Sequence, residues 1–339
     1  MTAACVFGCG GPTLTGEESE FFARVNPWGF ILFGRNIKTP DQVRKLVRAL
    51  RATVNRPDAP VLVDQEGGRV QRFAAPHWRP YPAARAYGLL AVDRLTRLEM
   101  ARLGGRLIAH DLAGLGVNVN CAPVLDVPTP GAHDVIGDRA YGQDPEEVAH
   151  LARATAEGLM AGGILPVIKH IPGHGRAEAD SHLRLPVVKA SLDALEKQDF
   201  APFRALSDMP MAMTAHVVYA AVDPERPATT SPVVIKTVIR ESIGFRGLLI
   251  SDDLSMKALD GDLRWRAEAA LAAGCDVVLH CNGGMSEMKA VAAGTPALSG
   301  RAASRAAVVL ARLPDVVEPF NATRAAARFH AILSCEAAA

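Results

Sequence analysis

Between Lys169 and His182 the chain reads KHIPGHGRAEADSH, with three histidines, a lysine and two acids close together. Imidazoles and carboxylates side by side can accept, hold and return protons near neutral pH. Pro172, Gly173 and Gly175 keep the stretch from being a helix. It follows the apolar run Ile164 to Ile168, which reads as a buried strand, so the polar residues begin where the strand ends. Loops held at the ends of buried strands are where α/β enzymes place their chemistry.

Other apolar runs end in the same way. Ala4 to Phe7, Phe30 to Phe33, Val61 to Val63, Val117 to Ala122, Leu165 to Ile168, Met211 to Met213, Leu248 to Ile250 and Val277 to Leu279 make eight strand-like runs. Between them, Pro40 to Val54, Asp93 to Leu115, Pro145 to Met160, Ser191 to Leu206 and Arg264 to Ala273 carry apolar residues at helical spacing. Alternating strands and helices with no glycine- or proline-rich linker predict an α/β fold, a single (β/α)8 TIM-type barrel over residues 1–339. Arg301 to Leu313 and Ala322 to Leu333 read as extra C-terminal helices that close it. A doubly wound open sheet is the alternative, but Thr13 stands where a dinucleotide fingerprint needs its third glycine.

In a barrel the strand ends converge on one face. Here they offer Gly34, Arg35 and Asn36, then Asp64, Gln65 and Glu66, then Asp126, Lys169, His170, His216, Asp252, Asp253, His280 and Asn282. Carboxylates, cations and amides in that mixture suit a polyhydroxylated ligand such as a sugar. Lys plus Arg total 37 against 36 for Asp plus Glu, and no basic block is interleaved with aromatics, which argues against nucleic acid. Met1 to Gly11 has no basic leader, and nowhere does an apolar run reach membrane-spanning length. A cytoplasmic protein with no membrane partner and no obligate protein partner is expected. The six cysteines are scattered, and reduced buried thiols are the default reading.

Four runs taken together are more specific: Asp64 to Arg72 (DQEGGRVQR), Lys169 to His182, Met213 to Tyr219 (MTAHVVY) and Ser251 to Met256 (SDDLSM). In order and spacing, from about Phe33 to Asn282, the chain resembles the family 3 glycoside hydrolases, in their single-domain bacterial β-N-acetylglucosaminidase branch. One departure is Ile171, where the family usually has phenylalanine; an apolar replacement there alters packing more than chemistry.

The resemblance implies retaining hydrolysis with Asp252 as the carboxylate nucleophile, His182 as acid and base, and Asp180 as the partner of His182. It also implies that Asp64, Arg72, Arg139, Lys169 and His170 bind the terminal sugar, and that no cofactor is needed. The implied substrate is a peptidoglycan fragment, N-acetylglucosamine linked to an anhydro-muramoyl peptide and met in cell-wall recycling.

Asp253 competes with Asp252, although neighbours on a pleated strand face opposite ways and only one can enter the pocket. Glu178 is the rival acid. A β-glucosidase, a broader N-acetylhexosaminidase and a phosphorylase of the same family remain alternatives, as does a noncatalytic sugar-binding barrel. A metallohydrolase could use His170, His174, His182 and Asp180, but Pro172 and Gly173 prevent the helix that would put a four-residue histidine spacing on one face.

Overall fold

The computed structural model describes residues 1–177, 181, 184–314 and 316–336. Eight parallel strands close into a barrel in chain order: β1 (Ala3–Gly8), β2 (Pro27–Leu32), β3 (Val61–Val63), β4 (Val119–Asn120), β5 (Leu165–Ile171), β6 (Met211–Thr214), β7 (Leu248–Asp253) and β8 (Val277–His280). Strand β8 pairs with β1, so the sheet has no edge. All eight expected strands are present. β4 is shorter than expected because the backbone turns on itself there, Ala122 N donating to Asn120 O at 2.8 Å instead of to a neighbouring strand.

The apolar runs are continuous because both faces of each strand are buried. Val6, Ile31, Leu62, Val119, Leu165, Val167, Met211, Met213, Leu248, Ile250, Val277 and Leu279 fill the lumen. Their neighbours Phe7, Phe30, Val61, Val63, Ile168, Ala212, Leu249 and Val278 pack outward against the helices. The alternation is strict along β7 and β8.

The helices begin where the sequence supplies caps. Thr39 precedes Pro40–Thr53, Asp93 precedes Arg94–Ala113, Asp144 precedes Pro145–Ala161 and Asp262 precedes Leu263–Ala273; each side chain accepts a hydrogen bond from the first turn. Arg94–Ala113 and Pro145–Ala161 approach closely through glycine: a Cβ at Gly158 would lie 2.0 Å from Arg102 O, and one at Gly105 2.3 Å from Thr155 O. Gly16–Val25 and Met285–Ala293 are helices beyond those expected.

The expected helix over Ser191 to Leu206 is broken. Leu192–Ala194 runs into a π-helical turn, Leu195–Asp199, before Ala201–Ala205. Pro202 has no N–H to donate to Gln198 O, and the widened turn presents Gln198 and Asp199 to Arg176 of the loop after β5.

The C-terminal helices form as expected, at Gly300–Leu310 and Ala322–Glu336. Ala306 and Val309 of the first belong to the cluster that fills the lumen and close its N-terminal end. Phe329 of the second is buried beside Tyr87 and Gly104. Among the described residues no helix is long and apolar enough to cross a membrane.

Candidate active site

The inward alternation of the strands continues past their apolar part. On β7, Leu248 and Ile250 face the lumen, and the next residue in phase is Asp252. On β5 Leu165 and Val167 are followed by Lys169, and beyond β3 Leu62 is followed by Asp64 and Glu66. These side chains meet in a pocket at the C-terminal end of the barrel, with Arg72, Arg139, His170 and His174 on its wall and Ile31, Met213, Leu279 and Cys281 among its apolar lining.

Five of the charges form an alternating row. Arg72 lies 3.3 Å from Asp64, Asp64 2.9 Å from Lys169, Lys169 2.6 Å from Glu66, and Glu66 takes both Nε and Nη2 of Arg139 at 2.9 Å. Burial alone would push the Lys169 ammonium down in pKa; Asp64 and Glu66 hold it above the usual lysine value. Burial would raise Asp64, but Lys169 and Arg72 bring it down to about 2. Glu66 is likewise held low against its burial by Lys169 and Arg139. The row therefore stays ionised, with its remaining N–H donors available to a ligand.

Arg139 is thus tied into the protein, donating also to Val135 O at 3.2 Å. Its bidentate partner Glu66 is a site residue to which the sequence reading gave no role. The signal was present, since Glu66 follows Asp64 at the two-residue period of an inward-facing strand.

Local sequence explains how the row is held. Gln65–Gly67 and Val70–Gln71 form a hairpin, turned at Gly67 and Gly68, both with positive φ. A Cβ at Gly67 would lie 2.2 Å from Pro82 O. The buried Gln65 side chain accepts from Arg72 N and Phe73 N, each at 3.0 Å, and donates to Phe73 O at 2.9 Å, bringing Arg72 beside Asp64. Asn120 of β4 brackets the Gln65 backbone, accepting from its N and donating to its O at 3.0 Å. Arg69 donates to the carbonyls of Asp134, Val135 and Ile136 and pairs with Asp138, fixing the segment that delivers Arg139.

Asp126 anchors the loop after β5. Its carboxylate accepts from His170 N at 3.2 Å and His174 N at 2.7 Å, and lies 2.7 Å from His170 Nδ1. Burial would raise its pKa, yet His170 and His174 draw it down to about 2. The Lys169–His170 and Ile171–Pro172 peptide bonds are cis. His174 Nε2 is 3.0 Å from Ser181 Oγ, and burial, reinforced by His170, lowers His174 to about 4. Of the remaining sequence-derived candidates, His182, Asp180 and Glu178 lie outside the described residues. Among the described residues no three His, Cys, Asp or Glu side chains are grouped to hold a metal ion.

The two aspartates of β7 separate. Asp252 lines the pocket; its Oδ1 accepts from Asp253 N at 2.8 Å, and Oδ2 has no hydrogen-bond partner among the described residues. Burial would raise its pKa, but the His216 and His170 rings, the Asp253 N–H and Lys169 hold it below the usual value. Asp253 turns away from the pocket, accepting from Cys281 N at 3.0 Å and from Ser255.

Two outcomes follow from these pairs. Glu66→Gln leaves Lys169 and Arg139 without their shared counter-charge, and should lower stability by about 3 kcal/mol and kcat/KM by at least ~100-fold; thermal melts and steady-state rates measure both. His174 is neutral in the fold to about pH 4 and titrates near 6.5 when unfolded. Stability should therefore fall as pH drops from about 6.5 to 4, where the unfolded chain binds the extra proton. Melting temperature measured across that window should decline less steeply in His174→Gln.

Residues 14–307 match the glycosyl hydrolase family 3 N terminal domain. A beta-hexosaminidase of Methylococcus capsulatus is 44% identical over 281 residues, 82% of each chain. The Pseudomonas aeruginosa beta-hexosaminidase is 41% identical over 296 residues, 86% of each. The crystal structure of NagZ from Neisseria gonorrhoeae in complex with N-trifluoroacetyl-D-glucosamine aligns with a TM-score of 0.87 at 34% identity, over 98% of each chain. With relatives this similar along most of its length, and a barrel whose mouth gathers ionised carboxylates and cations, the chain belongs to glycosyl hydrolase family 3 and is a glycoside hydrolase.

Proposed function

We propose that this glycoside hydrolase is a retaining, exo-acting β-N-acetylhexosaminidase that removes terminal N-acetylglucosamine from peptidoglycan fragments during cell-wall recycling in the cytoplasm. The observation that carries the reading is Asp252: an inward carboxylate with one oxygen held by Asp253 N and the other open to a pocket lined with hydrogen-bond donors. The beta-hexosaminidase names of the relatives and the sugar analogue bound to the Neisseria protein support the substrate class.

In this reading Asp252 Oδ2 attacks the anomeric carbon as the glycosidic C–O bond breaks, giving a glycosyl ester. His182, oriented by Asp180, protonates the departing oxygen and then takes a proton from the water that cleaves the ester. Both roles come from the family resemblance. Asp64, with Arg72 and Lys169 beside it, offers a charged acceptor flanked by donors to the sugar hydroxyls. His170, Lys169 and Arg139, which line the same pocket, are proposed as donors to the 2-acetamido group. Arg139 keeps its orientation through Glu66 while free N–H groups remain.

A slow 2-fluoro glycoside should leave its label on Asp252, and Asp252→Ala should fold normally and turn over nothing measurable. Peptide mapping that finds the label on Asp253 or elsewhere overturns the assignment. Aryl N-acetylglucosaminide should exceed aryl glucoside in kcat/KM by several orders of magnitude, because a site built for the acetamido group is left with unpaired polar groups without it. Equal efficiencies would overturn the acetamido-selective reading and favour the β-glucosidase alternative.

Replacing the acid should affect substrates unequally. His182→Ala should slow glycosylation far more for a disaccharide or muropeptide than for an aryl glycoside whose leaving group needs little protonation. Uniform loss on all substrates, read from pre-steady-state and steady-state rates, would return the acid role to Glu178.

A further inference from the structure

Beneath the pocket, Thr214 and His216 of the MTAHVVY run and the distant Thr229 form a closed chain of hydrogen bonds that no step of the proposed reaction uses. All three are completely buried. Asp252 N is 3.4 Å from Thr214 Oγ1, Thr214 Oγ1 2.8 Å from Thr229 Oγ1, Thr229 Oγ1 2.7 Å from His216 Nδ1, and His216 Nε2 3.0 Å from Asp253 O. The chain leaves the backbone of Asp252 and returns to that of Asp253.

Its polarity is forced. A carbonyl oxygen only accepts, so His216 Nε2 carries the proton that faces Asp253 O. Burial disfavours the imidazolium and lowers the pKa of His216, leaving Nδ1 as an acceptor that takes the Thr229 hydroxyl proton. Ala215 O, 3.2 Å from Thr229 Oγ1, is the longer alternative for that proton, and choosing it would strand Nδ1 without a donor. Thr229 therefore accepts from the Thr214 hydroxyl, and Thr214 accepts from Asp252 N–H. Every hydroxyl gives one proton and receives one.

We infer that Thr214, Thr229 and His216 are positioning residues that hold the Asp252–Asp253 backbone, and through Asp253 N–H the Asp252 carboxylate, at the angle needed for attack. The inference rests on Asp252 being the nucleophile. Thr229 is carried to this place by the strand Asp223–Pro227, which pairs with Val218–Tyr219. Val218–Tyr219 in turn pairs with Val187–Val188, a few residues beyond His182. Ala228 N donates to Val217 O at 2.9 Å, fixing the turn that presents the hydroxyl.

Thr229→Val keeps the shape of the side chain and removes the hydroxyl. Its kcat should fall by about 10- to 100-fold with KM little changed, while Thr229→Ser restores most of the rate. A 2-fluoro glycoside should inactivate the valine variant more slowly by a similar factor and still label Asp252. Should Thr229→Val fold poorly, Thr214→Val interrupts the same chain, and the double variant should lose no more than the worse single one. Isotope-labelled imidazole nitrogens should report His216 as the Nε2–H tautomer. Wild-type inactivation rates in both valine variants, equal losses for valine and serine, or an Nδ1–H ring would overturn the inference. Label on any residue but Asp252 would instead overturn the nucleophile reading beneath it.

Discussion

The arrangement of the site depends on one buried ammonium. Lys169 is almost wholly enclosed, and an unpaired charge there would be prohibitive, so two carboxylates must come within reach. Both are supplied by the segment after β3, on the far side of β4 from Lys169. The ion pairs therefore pin strands that share no hydrogen bonds. Glu66, held on one side by Lys169, holds Arg139 on the other, and Asp64 does the same for Arg72. The geometry of a sugar-sized pocket is thus set by the need to neutralise a charge rather than by side-chain rigidity. Deleting any middle member would leave two like charges facing each other.

Much of this was legible in the chain. The barrel follows from eight apolar runs separated by helical periodicity, because a strand covered on both faces has no polar alternation to display. Which of Asp252 and Asp253 enters the pocket was not legible, because an unbroken apolar run such as Leu248 to Ile250 does not show which of its faces is inward; the fold supplies that phase. What was hidden depends on long-range pairing. Asn120 around Gln65 and Thr229 under Asp252 are ordinary polar residues in sequence, and Asp126, though placed at a strand end, gave no sign there that it would anchor His170 and His174. The break near Asp199 had a local signal in Pro202, whereas the capture of Gln198 and Asp199 by Arg176 of another loop was hidden.

Support beneath the pocket is of two kinds. The upper row is ionic and pairs strands β3 and β5 with the Arg139 segment, whereas the circuit under β7 is built from neutral hydroxyls and one imidazole. Neutral partners suit that position. If Asp252 is the nucleophile, as proposed, a formal positive charge directly under it would bind its carboxylate and weaken it as an electron-pair donor, while hydroxyl dipoles fix the backbone and leave Oδ2 to face the pocket.

Side chains from all eight strands fill the lumen and the helix Gly300–Leu310 seats Ala306 and Val309 against them, so the barrel is a cup and not a tunnel. A cup has one opening, and traffic through it is last in, first out. Whatever sits at the bottom cannot leave until the piece above it has gone. For a polymer entering tip first, the trimmed remainder departs before the severed tip, and a second chain cannot thread in from behind to displace it. Under the proposed exo action, shortening of such a chain would proceed by separate visits, one unit per visit, with the chain released each time.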